Sequence, residues 1–148
     1  MTQSIGFVGL GIMGLPMAKN LLNSGYSVIG YNRSKPRLQE FAKAGGTPAK
    51  TIKEVAENAQ IVITCLPNSQ SVSDVIFQNE GLLEGFQNGS TLIDCSTISP
   101  KTTVEIPEKL TNDESMVRNR LEEDDGHINC LLYTSDAADE GLGVDLGG

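Results

Sequence analysis

The chain has 148 residues, 39% of them apolar, and a net charge of −8. That length suffices for one domain with a sizeable core, and no apolar run approaches the ~18 residues of a membrane span. Residues 1–111 hold nine positive and nine negative side chains, so the imbalance lies wholly in 112–148 and the globular part has no basic patch suited to nucleic acid.

The N-terminus enters a strand pattern within a few residues, without a basic region followed by an apolar stretch, so no secretory signal is expected. Ser4–Val8 and Ser27–Tyr31 are short apolar strands. Between them, 12–24 reads as a helix with Met13, Met17, Ala18, Leu21 and Leu22 on one face and Gly25 at its C-terminal cap. Helices are expected over 36–44 and 51–59, the second opened by Thr51 with Glu54 three residues on, the capping-box spacing. Residues 61–66 and 91–95 are nearly continuous apolar strands, as expected where both sheet faces are covered. Helices over 69–77 and 100–110 complete the pattern, and Pro107 is expected to kink or end the last one. Such alternation predicts an α/β fold, a Rossmann-type doubly wound parallel sheet.

After Thr111 the pattern stops, and no further strand is expected. The predicted organisation is a dinucleotide-binding domain over 1–111, an incomplete version of its type, and a disordered tail over 112–148. Within the tail, Cys130–Gly148 resembles one reading frame of a widely used transposase sequencing adapter and is kept out of fold reasoning. His127, the only histidine, falls in the tail and is given no catalytic role. Cys65, Cys95 and Cys130 are odd in number and lack metal-type spacing. They read as small buried residues with reduced thiols in a cytoplasmic protein, with no metal site.

Gly9-Leu10-Gly11-Ile12-Met13-Gly14 follows a strand directly and opens a helix, the context that a dinucleotide fingerprint requires. Gly9 permits a tight turn, Gly11 lets the backbone approach a pyrophosphate, and Gly14 lets the helix pack close to the strand. The helix N-terminus then presents N–H groups and partial positive charge to the phosphates. Eighteen residues after Gly14, where an NAD-binding chain carries Asp or Glu for the ribose hydroxyls, stand Asn32, Arg33 and Ser34. A carboxylate there repels a 2′-phosphate, whereas an amide, a guanidinium and a hydroxyl accept one, so the turn favours NADP over NAD. The same three residues also suit a polar turn that caps the next helix, and the two roles are compatible.

The stretches 6–22 (GFVGLGIMGLPMAKNLL), 63–72 (ITCLPNSQSV) and 92–100 (LIDCSTISP) together resemble the N-terminal part of the β-hydroxyacid dehydrogenases. That family includes 3-hydroxyisobutyrate dehydrogenase and tartronate semialdehyde reductase (2-hydroxy-3-oxopropionate reductase), and is related to 6-phosphogluconate dehydrogenase. The resemblance covers residues 1 to about 111, about the first third of a family member. It implies that N–H groups from Leu10 to Met13 bind the pyrophosphate and that Asn32, Arg33 and Ser34 meet the adenosine ribose or its phosphate. Leu66 and Pro67 become a wall beside the cofactor, Thr97 lies against its nicotinamide half, and Ser96 meets the substrate. Taken alone, Ser96-Thr97 also suits a cap for the helix that begins near Pro100.

The implied activity is hydride transfer that reduces a small semialdehyde or oxidises a 3-hydroxy acid, in a homo-oligomeric enzyme without nucleic-acid or membrane partners. Family members continue with an Asp-Ala-Pro-Val-Ser-Gly-Gly segment and, further on, a helix bearing the lysine that acts as general acid or base. Neither motif occurs here. No catalytic residue is therefore assigned within this chain, which is expected to be inactive alone, and Lys101 and Lys109 read as surface residues. Two other readings stand beside this one: a non-catalytic NADP-binding module, and the N-terminal domain of an imine reductase, which shares the glycine motif and the Asn-Arg-Ser turn. The LIDCSTISP loop argues for hydroxy acids.

Overall fold

Short apolar runs and amphipathic runs alternate along the chain, and they fold as alternating strands and helices in the computed structural model, which describes residues 3–112 and 129–132. In order these are β1 (Ser4–Val8), α1 (Gly14–Asn23), β2 (Ser27–Tyr31), α2 (Lys35–Lys43), β3 (Thr47–Pro48), α3 (Ile52–Asn58) and β4 (Ile61–Thr64). They continue with α4 (Ser69–Phe77), α5 (Leu82–Gly85), β5 (Thr91–Asp94), α6 (Pro100–Asn112) and β6 (Asn129–Leu132). The strands are all parallel, in the order β3-β2-β1-β4-β5-β6. The chain reverses its direction of winding between β3 and β4, so β1 and β4 are neighbours and the ends of these two strands mark the point where open sheets of this class hold ligands.

Side chains alternate across the sheet. Phe7 of β1 joins Leu15, Ala18, Val28 and Phe41 beneath α1 and α2, while Val8 and Val62 join Val55, Val72, Ile76 and Ile106 beneath α3, α4 and α6. Burial of Phe7 or Phe41 contributes about 1.5–3 kcal/mol each. On the α1 side, Ile61 and Ile63 of β4 and Ile93 of β5 are only half-buried.

Local chemistry sets several boundaries. α1 closes at Gly25, whose φ of +91° suits a residue without a Cβ, and whose N–H donates to the Leu22 carbonyl at 3.0 Å. The Thr51 hydroxyl caps α3 by accepting the Glu54 N–H at 3.1 Å, and Glu54 Oε2 in turn accepts the Lys50 N–H at 2.6 Å. Thr51→Ala is expected to cost about 1 kcal/mol of stability, read from the urea midpoint.

The structure departs from the sequence expectations at several points. α1 starts at Gly14 rather than residue 12, because residues 11–13 form the turn that leaves β1, with Ile12 80% and Met13 69% exposed. β3 and α5 were not anticipated. β3 is two residues long, and α5 a single turn, too short to show a period. Helix α6 runs through Pro107 to Asn112 instead of ending there. Proline removes one N–H from the helical ladder, but the buried Ile106 and Leu110 anchor the helix on either side of it. A further strand does follow residue 111: β6 pairs in register with β5, from Thr91↔Asn129 to Asp94↔Leu132. An open sheet edge offers unpaired N–H and C=O groups that a short apolar segment can satisfy. The rest of the tail, His127 included, lies outside the described residues.

Candidate cofactor site

β1 delivers the chain to Gly9, whose φ of +99° belongs to the left-handed region and whose missing Cβ leaves room for the Cys65 carbonyl oxygen. A Cβ on Gly14 would collide with the Gly9 carbonyl oxygen, so α1 can approach the strand only with glycine there. Gly11 differs from both. Apart from its own residue and its two chain neighbours, no atom lies within 4 Å of where its Cβ would be. Two of the three glycines answer to packing within the protein, and the third answers to open space.

This turn is tied to the end of β2. The Gly9 N–H donates to the Tyr31 carbonyl at 3.1 Å. The Leu10 N–H donates to Asn32 Oδ1 at 3.1 Å, and Asn32 Nδ2 donates to the Ser34 carbonyl at 3.3 Å. The Leu10 N–H, one of the donors assigned to pyrophosphate, is thus engaged by Asn32, and residues 11–13 supply the remaining donors of the turn. α1 has no side-chain cap and no acidic residue in its first turn, so the partial positive charge at its N-terminus is not neutralised locally.

A cleft of about 520 Å³ opens at the carboxyl ends of β1, β2 and β4. Of the residues singled out in the sequence, Gly9, Gly11, Asn32, Arg33, Leu66 and Pro67 line it. Leu10 and Gly14 are buried behind the turn, Ile12, Met13 and Ser34 are exposed beside it, and Thr97 is exposed beyond β5, outside the lining. Eight lining residues were not assigned to the site from the sequence: Val8, Tyr31, Ile52, Cys65, Ser71, Asp74, Val75 and Gln78. Four of these share one face of α4 and its C-terminal flank by their spacing of three and four. That spacing was legible, but not which face of the helix meets the cleft. Asp74 accepts a hydrogen bond from Gln70 Nε2 at 2.7 Å.

Below the cleft, Asp94 is fully buried at the end of β5. Its Oδ1 accepts the Thr64 hydroxyl at 2.6 Å, the Ser96 hydroxyl at 2.6 Å and the Ser96 N–H at 3.2 Å. Ser96 Oγ in turn accepts the Leu66 N–H at 2.7 Å. Asp94 Oδ2 has no partner among the described residues. Burial pushes the Asp94 carboxyl up, against the pull of the hydrogen bonds from Ser96 and Thr64. Cys65 and Cys95, expected to be buried, are only half-buried, yet that partial burial raises both free thiols, which favours their neutral, unreactive form.

A family profile described as the NAD binding domain of 6-phosphogluconate dehydrogenase matches residues 4–117. The chain belongs to this family of NAD-binding domains. Mouse mitochondrial 3-hydroxyisobutyrate dehydrogenase is 42% identical over 106 residues, which are 72% of this chain and 32% of the mouse protein. The solved Mycobacterium tuberculosis 3-hydroxyisobutyrate dehydrogenase with L-serine superposes with a TM-score of 0.74 at 27% identity, covering 90% of this chain and 40% of that one. The Myxococcus stipitatus imine reductase in complex with NADP+ shares the fold, with a TM-score of 0.69 at 22% identity over 90% of this chain and 43% of its own. The chain spans about a third of the length of the curated relatives it matches.

The residues of this NAD-binding domain fit a dinucleotide. The vacant space at Gly11 admits a phosphate against the backbone, beside the uncapped α1 N-terminus. Among the described residues no cluster of His, Cys, Asp or Glu could hold a metal ion, and no helix is long and apolar enough to cross a membrane. Lys101 is exposed and pairs with Glu105 at 3.6 Å, and the Lys109 ammonium lies 5.7 Å from the Phe77 ring centroid. Neither lysine lines the cleft.

Proposed function

We propose that this domain binds NADP in preference to NAD and serves a β-hydroxyacid dehydrogenase that reduces a small semialdehyde or oxidises the corresponding 3-hydroxy acid. The observation that carries the cofactor choice is the end of β2. Asn32 and Arg33 line the cleft where an NAD-binding chain presents a carboxylate to the ribose. Arg33 gives the 2′-phosphate a charge-assisted partner. Residues 11–13 and the α1 N-terminus bind the pyrophosphate, while Leu66 and Pro67 close one side of the cleft against water.

Bound NADPH supplies the hydride. A proton must accompany it to the carbonyl oxygen, and neither lysine of α6 lines the cleft to give one. Lys101 and Lys109 are engaged on α6. The proton donor and the substrate contacts are accordingly assigned to the part of the relatives' length that this chain does not span. The complete enzyme is taken to be a cytoplasmic homo-oligomer acting on small hydroxy acids or semialdehydes. Calorimetric titration with NADPH and NADH tests the cofactor reading. NADPH is expected to bind at least about tenfold more tightly, the worth of one charge-assisted hydrogen bond. Equal affinities would overturn the NADP assignment, and no binding to either would overturn the cofactor role of this chain.

A further inference from the structure

A fully buried carboxyl with one oxygen crowded by donors and the other bare is an unusual use of an acidic residue. Asp94 has that arrangement. Its crowded oxygen holds three donors from two neighbouring strands: the Thr64 hydroxyl at the end of β4, and the Ser96 hydroxyl and N–H beyond β5. The two hydroxyl contacts, at 2.6 Å each, lie in the short range of charge-assisted O–H···O bonds. While its hydroxyl donates to Asp94, Ser96 Oγ presents a lone pair to the Leu66 N–H at 2.7 Å. A continuous path therefore runs from the buried carboxyl through Ser96 to Leu66, which with Pro67 lines the cleft.

We propose that Asp94 is a positioning residue for cofactor binding, fixing the Leu66–Pro67 wall and the Ser96–Thr97 turn in one relation through the Ser96 hydroxyl. The inference rests on the cofactor reading above and adds to it. Ser96, 1% exposed, then acts by orienting the wall rather than by touching substrate. The direction of the bonds matters. An Asp at 94 is acceptor-only when ionised, so it orients both hydroxyls as donors toward itself. That orientation frees a Ser96 lone pair for Leu66.

The test compares NADPH affinity by cofactor fluorescence, melting temperature and amide hydrogen exchange at Leu66, in the full chain and four variants. Ser96→Ala and Asp94→Ala are each expected to weaken NADPH about tenfold and to speed exchange at Leu66. The double variant is expected to be no weaker than the weaker single, because both act along one path. Asp94→Asn retains an acceptor oxygen for Ser96 but buries an amide donor without a partner, so it is expected to melt lower while keeping NADPH affinity within about threefold of the parent. Melting losses with unchanged NADPH affinity in both alanine variants would overturn the proposal, as would losses that multiply to about a hundredfold in the double variant. Should Asp94→Ala fail to fold, Ser96→Ala and Asp94→Asn decide on the same criteria. If the parent chain itself binds no NADPH, the cofactor reading fails. Exchange at Leu66 then decides this one, and unchanged protection in Ser96→Ala overturns it.

Discussion

Alanine in place of Gly14 is expected to leave no folded domain, while alanine in place of Gly11 is expected to leave a folded domain that binds NADPH about 10- to 100-fold more weakly. The two glycines lie three residues apart in one turn and carry unlike demands. A methyl group at Gly14 would run into the Gly9 carbonyl oxygen, and the next neighbours are the Gly9 carbonyl carbon at 3.0 Å and the Phe7 ring at 3.2 Å. Nothing there is the far end of a flexible side chain, so relief requires α1 to move off the sheet and open the cluster of Phe7, Leu15 and Ala18. Disruption of this kind costs about 4 kcal/mol or more, comparable with the whole stability of a small domain. Gly11 faces open space, and its φ is not among the positive values of this chain. Its substitution is expected to change stability by no more than about 0.5 kcal/mol. The added methyl would stand where a phosphate approaches the backbone, and loss of a hydrogen bond to a charged group weakens binding about 10- to 100-fold. Circular dichroism melts and NADPH titration of both variants separate the cases. A folded Gly14→Ala domain, or undiminished NADPH binding by Gly11→Ala, would contradict this account of the turn.

The second large effect concerns the choice between cofactors. Combining Asn32→Asp with Arg33→Ala is expected to invert the preference from NADPH to NADH, through a loss of at least about a hundredfold in NADPH affinity. Arg33 is exposed and lines the cleft, and no ion pair is found for it among the described residues. Its removal therefore leaves no buried partner behind, and the loss falls on the 2′-phosphate contact, about 1.5–3 kcal/mol. Asn32 is the more delicate position, since its Oδ1 accepts the Leu10 N–H that anchors the glycine turn. Aspartate keeps that acceptor and gives up only the 3.3 Å bond from Nδ2 to the Ser34 carbonyl. The new carboxylate accepts the ribose hydroxyls of NADH and repels the 2′-phosphate of NADPH. Calorimetry with both cofactors reads the ratio directly. An unchanged ratio would return residues 32–34 to a purely structural role between β2 and α2.

The buried carboxyl also gives a signed expectation for pH. Because burial holds the Asp94 carboxyl above its ordinary value near 3.8, the folded state retains that proton more firmly than the unfolded chain does. The associated stability is fully present below the ordinary value and is lost as pH rises through the raised folded value. Melting temperatures taken across that range are expected to fall for the parent from this source, and Asp94→Asn is expected to remove that component. A parent and variant with parallel pH profiles would mean that Asp94 titrates normally.

Much of the domain was legible before any tertiary contact was known. β1 and β2 have the bounds their apolar runs indicate, α4 has the bounds its spacing indicates, and Thr51 caps α3 as its spacing with Glu54 implies. The glycine triplet announced both its turn and its position between strand and helix. These features are local: a period of two or of 3.6, a cap three residues away, and a turn that demands a missing side chain all lie within one short window.

What the sequence by itself determined is therefore the alternation of strands and helices, the glycine turn and the absence of a carboxylate after β2. What only the tertiary structure decided is how distant pieces meet. Thr64 reaches Asp94, and Leu66 reaches Ser96, across 30 residues each. The spacing within LIDCSTISP offers no sign that its serine turns inward to a carboxyl rather than outward to a ligand. The α4 face of Ser71, Asp74, Val75 and Gln78 likewise became a wall of the cleft only once the helix packed against the sheet. The passage of α6 through Pro107 and the pairing of β6 belong to the same class. Propensity and period act over a few residues, whereas burial, strand pairing and hydrogen-bond direction depend on partners that the chain brings together only by folding.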